Sequence, residues 1–124
     1  MAFPGTFNIN YYRGDTYEFK IYPKDASGAA FPLTGYDLAE GAKFTISTQR
    51  GADGLEDQIE AYAAIASDLT HISCAILPEN GTAMTAGLNY VYDVEISKAG
   101  TPYDLVTTLL TGTITVTNQV TGAV

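Results

Sequence analysis

Few residues in this sequence belong to the types that support acid–base or nucleophilic catalysis. The chain holds one histidine, His71, beside Thr70 on the predicted solvent face of a strand, and a lone histidine offers no nucleophile–base pair. Asp93 and Glu95 stand two residues apart on one face of another predicted strand, about 7 Å from each other. A carboxylate pair that hydrolyses glycosides would also need a cleft between its members. We therefore interpret all of these as ordinary strand residues and predict that the chain is not an enzyme.

Metal and cofactor sites find equally little support. Asp53, Glu56 and Asp57 cluster in a segment that contains glycines, where carboxylates could gather around calcium, but their spacing matches no calcium-binding loop. One histidine also falls short of the three or four ligands that zinc requires. We predict solvated acidic side chains in this segment, and neither a metal nor a cofactor in the protein.

Cys74 is the only cysteine, so no intrachain disulfide can form. A secreted scaffold that is held together by disulfides is excluded at this length. Cys74 alternates with Ile72 and Ile76 in an apolar run, which predicts a small buried side chain rather than a reactive thiol.

Length and charge narrow the class of protein further. The 124 residues are 46% hydrophobic and 16% charged, a composition that predicts one folded domain rather than disorder. Fourteen acidic residues against six basic ones give a net charge of -8, which repels phosphate backbones and anionic lipids. The first residues lack the pattern of a signal peptide, and no apolar stretch reaches the length that crosses a bilayer. We expect synthesis in a cytoplasm, and neither nucleic acid nor a membrane as partner.

Alternation of apolar and polar residues with period two dominates the chain, and glycine, proline, asparagine or aspartate bounds each run, which is typical of half-buried strands joined by turns. The seven runs span residues 7–12, 17–22, 42–47, 58–66, 70–77, 88–97 and 103–116. The alanines of the fourth run also permit a helix. Segment 31–35 is predicted as an extended edge, since Pro32 cannot donate to a central ladder, and segment 82–87 as one helical turn. In the last run, Leu110 is predicted to face inward, and Leu109 to share the solvent face with a row of threonines.

Seven short strands with regular turn signals predict an all-β fold, an immunoglobulin-like antiparallel β-sandwich. We expect a single sandwich domain over residues 1–124, with a core at about residues 7–117 and extended termini. Either exposed edge strands or the extended termini, segments 2–7 and 118–124, are predicted to pair with neighbouring chains.

Nine tyrosines are many for a chain of this size. Exposed tyrosines favour interfaces and carbohydrate-binding surfaces, because each offers an apolar face and a hydrogen-bonding tip. The candidates for partner binding, all predicted at outward or loop positions, are Tyr11, Tyr22, Tyr36, Tyr62 and Tyr103. Core packing could still account for part of the excess.

Two short motifs are predicted to be structural. Arg13-Gly14-Asp15 spells an integrin-binding tripeptide, but Gly14 can adopt a positive φ, and we interpret the segment as a turn. Asn80-Gly81-Thr82 fits the glycosylation sequon. Without a secretion signal, neither motif is expected to meet its extracellular partner.

Several short segments, in a fixed order along the chain, carry a resemblance to a known family: Tyr12-Arg13-Gly14-Asp15-Thr16-Tyr17-Glu18-Phe19, Phe31-Pro32-Leu33-Thr34-Gly35-Tyr36, Lys43-Phe44-Thr45-Ile46, Ala86-Gly87 with residues 90–96, and residues 111–116. From about Asn8 to Thr117, the chain resembles the immunoglobulin-like β-sandwich domain of tailed-phage virion proteins, of the type found at the N-terminus of baseplate upper proteins and in tail fibres. It is also similar to stand-alone virion proteins of phages that infect marine cyanobacteria.

The resemblance implies a structural subunit of a virion, made in the host cytoplasm, with no catalytic residues to transfer. Baseplate upper proteins continue into a trimerising stalk, whereas this sequence stops at Val124, so we expect an accessory subunit that docks on other proteins of the tail or baseplate. The alternatives left open are a capsid decoration protein and a carbohydrate-binding module for attachment to host-surface sugars. Self-association into a homo-oligomer is also left open.

Overall fold

The computed structural model describes residues 4–48 and 58–118. These residues are mostly β-strand, which confirms the all-β prediction. The elements are β1 (Gly5–Thr6), β2 (Ile9–Tyr12), β3 (Tyr17–Ile21), β4 (Ala42–Ser47), β5 (Ile59–Ile65), β6 (Ile72–Ile76), the short helix α1 (Pro78–Thr82), β7 (Asn89–Lys98) and β8 (Leu105–Thr117). Each of the seven predicted runs contains a strand.

The strands form one curled sheet in the order β1-β8-β7-β4-β5-β6-β3, and β2 also pairs with β8. Strand β5 is the corner of this sheet. Its first residues, Ile59 to Ala61, pair with β4, and its later residues, Tyr62 to Ile65, pair with β6. A strand that changes partner in this way lets one half of a sheet fold over the other.

The core lies inside the curl. Phe44 of β4 contacts Phe19 of β3 edge to face, with ring centroids 5.5 Å apart, and contacts Tyr92 of β7 at 5.3 Å. Phe19 also meets Phe7, just before β2, at 5.8 Å. Since β3 is one edge of the sheet and the segment with Phe7 borders the other, this last contact shows that the two edges approach each other.

The prediction of a purely antiparallel fold is wrong for the first two strands, because β1 and β2 both run parallel to β8. Alternation along β2 places Ile9 and Tyr11 in the core, but it carries no information about the direction of the neighbouring strand. The close approach depends on Gly112, where any Cβ would overlap the Phe7 carbonyl. That carbonyl accepts a hydrogen bond from the Tyr92 hydroxyl at 2.5 Å. Gly5 and Thr6 pair with β8 on one side, and β1 is an edge of the sheet, so the pairing of segment 2–7 with a neighbouring chain stays a prediction. Residues 2–3 and 119–124 lie outside the described residues.

A β-bulge changes which residues of β8 face the core. Val94 pairs with Leu110, whereas the next residue, Glu95, pairs with Thr108, so Leu109 is the extra residue. The extra residue breaks the alternation, and Leu109 is buried. The prediction that Leu109 lies on the solvent face with the threonines is wrong for this reason.

Three weaker predictions had different outcomes. The alanine-rich run is a strand, β5, rather than a helix. Segment 31–35 forms no strand, and Leu33 is instead buried in the core. The helical turn lies at α1 rather than at 82–87, since Pro78 suits the first position of a helix and the Asn80 side chain accepts a hydrogen bond from the Leu77 N–H at 2.9 Å.

Candidate functional site

The five candidate tyrosines separate into an exposed and a buried group. Tyr22, Tyr62 and Tyr103 are 54%, 50% and 68% exposed. Tyr11 and Tyr36 are only 1% and 8% exposed, so the prediction that they lie on an accessible surface is wrong. Tyr12, which is not among the five candidates, is 55% exposed, because it follows Tyr11 on β2 and points to the opposite side.

Tyr11 is buried because its hydroxyl finds partners inside the protein. The hydroxyl donates to the Asp15 carbonyl at 2.7 Å and accepts from the Gly14 N–H at 3.2 Å. Burial raises the pKa of this phenol. Arg13 reaches across to the C-terminal end of α1, where Nη2 donates to the Thr82 carbonyl at 2.9 Å and Nε to the Met84 carbonyl, just beyond the helix, at 2.8 Å. The turn predicted at Arg13-Gly14-Asp15 is confirmed, and its arginine is engaged by the protein itself.

Tyr36 is covered by the side chain of Lys98. The Lys98 ammonium lies 4.7 Å from the ring centroid, a cation–π arrangement, and donates to the Thr34 carbonyl at 3.2 Å. Burial raises the pKa of the Tyr36 phenol. This tyrosine therefore stabilises the loop before β4 and offers no free ring to a partner.

Tyr62 borders a groove on the outer face of the half-sheet β3-β6-β5. The strand register aligns Glu18, Ala75 and Tyr62 in one row across the three strands, and Lys20, Ser73 and Ala64 in the next row. The middle strand contributes only the small side chains of Ser73 and Ala75 to these rows. Glu18 and Lys20 on β3 and Tyr62 on β5 consequently form the walls, and β3 and β5 lie about 10 Å apart.

This outer groove, lined by Glu18, Lys20, Tyr62, Ser73 and Ala75 with Thr16 and Leu77 at one end, has a volume of about 800 Å³. Its sides differ chemically, since Glu18 and Lys20 carry opposite charges on β3 and Tyr62 presents a ring on β5. The sequence alternation placed Ile72, Cys74 and Ile76 inward correctly. It gave no reason to single out Ser73 and Ala75, whose importance depends on which strands lie beside them.

A second concavity follows the place where the two sheet edges approach. This edge seam, lined by Phe7, Phe19, Lys20, Ile21, Tyr22 and Leu110, has a volume of about 310 Å³. Strand β3 pairs on one side with β6 and, among the described residues, with no strand on the other. The seam therefore combines apolar side chains with the outward backbone of an edge strand.

The remaining sequence candidates do not assemble into a reaction centre. His71 packs its ring on Tyr22, with centroids 5.1 Å apart, and its Nδ1 lies 2.8 Å from the Thr70 hydroxyl. Asp93 and Glu95 face Thr45 and Lys43 of β4 across the sheet. The acidic segment with Asp53, Glu56 and Asp57 lies outside the described residues.

Residues 4–48 and 58–118 hold neither a metal-binding cluster nor a membrane-spanning helix. No group of three or more histidine, cysteine, aspartate or glutamate side chains in this part of the chain is arranged to hold a metal ion. Among the same residues, no helix has the length and apolar character needed to cross a membrane.

Cys74 is buried between β3 and β5 as the sequence predicted, and burial raises the pKa of its thiol to about 12. We expect thiol reagents at pH 8 to leave the native protein unmodified and to label it fully in 6 M guanidinium. The reason is that only the exposed thiolate reacts. Measuring the labelled fraction by mass spectrometry in both conditions tests this, and rapid labelling of the native protein would contradict the burial.

The same shift links stability to pH. The pKa of Cys74 in the folded protein lies above the ordinary value of 9.0. The buried neutral thiol therefore contributes fully to the free energy of unfolding below pH 9, and this contribution is lost as the pH rises toward the pKa of the folded protein. Urea unfolding at pH 8 and pH 10 is expected to show a smaller loss of stability in Cys74→Ala than in the wild type. Burial raises the pKa of Tyr92, and the nearby Cys74 raises it further, so the difference between the two proteins reports the thiol together with its coupling to Tyr92.

Comparison with known proteins identifies no relative of the chain. No protein-family model, curated protein or solved structure matches the chain significantly.

Proposed function

We propose that the chain is an immunoglobulin-like β-sandwich subunit of a tailed-phage particle, which docks on neighbouring virion proteins of the tail or baseplate. The sequence resemblance supports the phage assignment. The strand order supports the sandwich, since β3, β6 and β5 form one half and β4, β7 and β8 the other, with the first strands parallel to the last. Immunoglobulin-like domains place their strands in two such facing layers.

The observation that carries the docking function is the edge strand β3 beside the edge seam. An edge strand presents N–H and C=O groups that pair readily with an extended segment of another chain. Next to β3, Phe7 and Tyr22 expose apolar surface, and Ile21 and Leu110 are half-buried. A docked strand would thus gain main-chain hydrogen bonds and a place for alternate apolar side chains.

The occupant that fits is an extended segment of a neighbouring virion protein, apolar at alternate residues. Lys20 lies on the same edge, and a lysine on an edge strand discourages indiscriminate pairing. Lys20, which borders the seam, is therefore expected to favour a segment that carries an acidic residue opposite it. The net charge of -8 supports protein partners over nucleic acid or anionic membranes.

The first test is the composition of purified particles. Mass spectrometry is expected to find the chain in many copies in the tail or baseplate fraction of disassembled virions. Its presence in the capsid fraction would instead support the alternative of a capsid decoration protein, and its absence from all fractions would overturn the proposal.

The second test is a docking variant. In a phage that lacks the gene, complemented with plasmid-encoded protein, Tyr22→Lys is expected to lower incorporation into particles about tenfold. The reason is that a charge at the centre of an interface must be desolvated without a partner. Quantitative mass spectrometry of the particles measures the effect.

The matched control is Tyr12→Lys, because Tyr12 on β2 is 55% exposed and Tyr22 is 54% exposed. Both variants should unfold at the wild-type temperature. Equal incorporation of the two variants would show that the edge seam is not the docking surface.

A further inference from the structure

The outer groove has the dimensions of a small-molecule site rather than of a protein interface. Sites for small ligands are concave and have volumes of about 300–1,000 Å³, and this half-open groove has a volume of about 800 Å³. Stable protein partners instead cover broad surfaces of about 800 Å² on each side. The groove results from Ser73 and Ala75 on the central strand, so its depth is a property of the rigid sheet and not of a loop.

The chemistry around the groove is that of a ligand with many hydroxyl groups. Half of the Tyr62 surface is free, and a phenol ring offers an apolar face of the kind on which the C–H face of a sugar ring packs. Opposite Tyr62, the Glu18 carboxylate accepts hydrogen bonds and the Lys20 ammonium donates them. The Ser73 hydroxyl on the floor can do both.

The charge of the protein favours neutral ligands over anionic ones. Glu18 and Lys20 balance each other locally, while the whole chain carries a net charge of -8. A polyanionic glycan would meet this field at a disadvantage, since like charges lower both the encounter rate and the affinity. A neutral glycan would not.

We propose that the outer groove binds a neutral oligosaccharide, with Tyr62 stacking on one sugar ring while Glu18 and Lys20 hydrogen-bond its hydroxyl groups. The two functions share Lys20, which borders both concavities, but glycan binding depends on Tyr62 and Ser73 on the outer face of the half-sheet, whereas docking depends on the β3 backbone and Tyr22. One surface can therefore hold the subunit in its assembly while the other contacts a glycan.

The test is binding of the full chain to an array of neutral oligosaccharides of glucose, galactose, mannose, xylose and their N-acetylated amino sugars, next to uronate and phosphate-bearing glycans. Calorimetry on the neutral glycan bound best is expected to give an affinity that Tyr62→Ala lowers about tenfold or more, the usual cost of losing an aromatic anchor. Ser73→Ile, which fills the floor with a residue that suits a strand, is expected to abolish binding.

The matched control is Tyr103→Ala, because Tyr103 is 68% exposed but lies in the loop between β7 and β8, far along the chain from the groove strands. It should bind as the wild type does, and all three variants should unfold at the wild-type temperature. Binding to no neutral glycan, binding only to anionic glycans, or an affinity unchanged by both Tyr62→Ala and Ser73→Ile would each overturn the proposal. None of these results bears on incorporation into particles, so the two proposals fail separately.

Discussion

Replacement of Gly81 by alanine is expected to destabilise the protein by about 2–3 kcal/mol, the range typical of overpacking in a rigid interior. A Cβ at this position in α1 would overlap the Tyr11 hydroxyl and lie 2.8 Å from the Gly14 nitrogen. Tyr11 cannot swing aside without breaking its hydrogen bonds to Asp15 and Gly14. Chemical denaturation with a fluorescence or circular-dichroism readout measures the loss.

The control is Gly5→Ala, whose Cβ would meet its nearest neighbour, a Leu110 methyl group, at the ordinary distance of 3.5 Å. We expect a change within about 0.5 kcal/mol there. In a Tyr11→Phe background, which removes the overlapping oxygen, the cost of Gly81→Ala should shrink, because contacting residues are not additive. An equal cost in both backgrounds would show that the Tyr11 hydroxyl is not the obstacle.

Replacement of Phe44 by alanine is expected to have the largest effect, a loss of about 3–5 kcal/mol. Phe44 is almost completely buried, and its ring contacts both Phe19 and Tyr92, so the variant opens a cavity between the two halves of the curled sheet. Because single domains are stable by only about 5–15 kcal/mol, this variant is expected to be partly unfolded at 37 °C.

Two further variants serve as references for the stability loss in Phe44→Ala. Phe44→Leu keeps an apolar side chain in the site and should cost clearly less than Phe44→Ala. Val106→Ala, at an exposed position on β8, should change stability by no more than about 0.5 kcal/mol. A loss below 1 kcal/mol in Phe44→Ala would contradict the packing of β3 against β4 and β7.

The contrast between Tyr11 and Tyr62 shows which features of the candidate sites can be predicted from the sequence and which cannot. Both are tyrosines on strands, yet Tyr62 is half exposed and Tyr11 is almost completely buried. The alternation on β2 already grouped Tyr11 with Ile9, but a hydroxyl is costly to bury unless partners are in place. Those partners, the Asp15 carbonyl and the Gly14 N–H, become available only once the turn after β2 has formed.

The two proposed surfaces depend on tertiary structure in the same way. The outer groove exists because the small residues of β6 lie between β3 and β5, which are separated by about forty residues of sequence. The edge seam exists because the sheet curls until Phe7 reaches Phe19. Local patterns specify which side of a strand is apolar, but they do not specify which strand lies next to it.

By itself, the sequence determined the all-β class, the position of a strand within each alternating run, the turn at Arg13-Gly14-Asp15 and the burial of Cys74. These features follow from interactions between residues close in the chain: alternation, the conformational freedom of glycine, and the preference of small apolar side chains for the interior. The tertiary structure alone decided the parallel pairing of β1 and β2 with β8, the bulge that turns Leu109 inward and the walls of both concavities. The physical reason is that each of these depends on contacts between residues far apart in sequence, whose free energy exists only after the whole sheet has closed around its core.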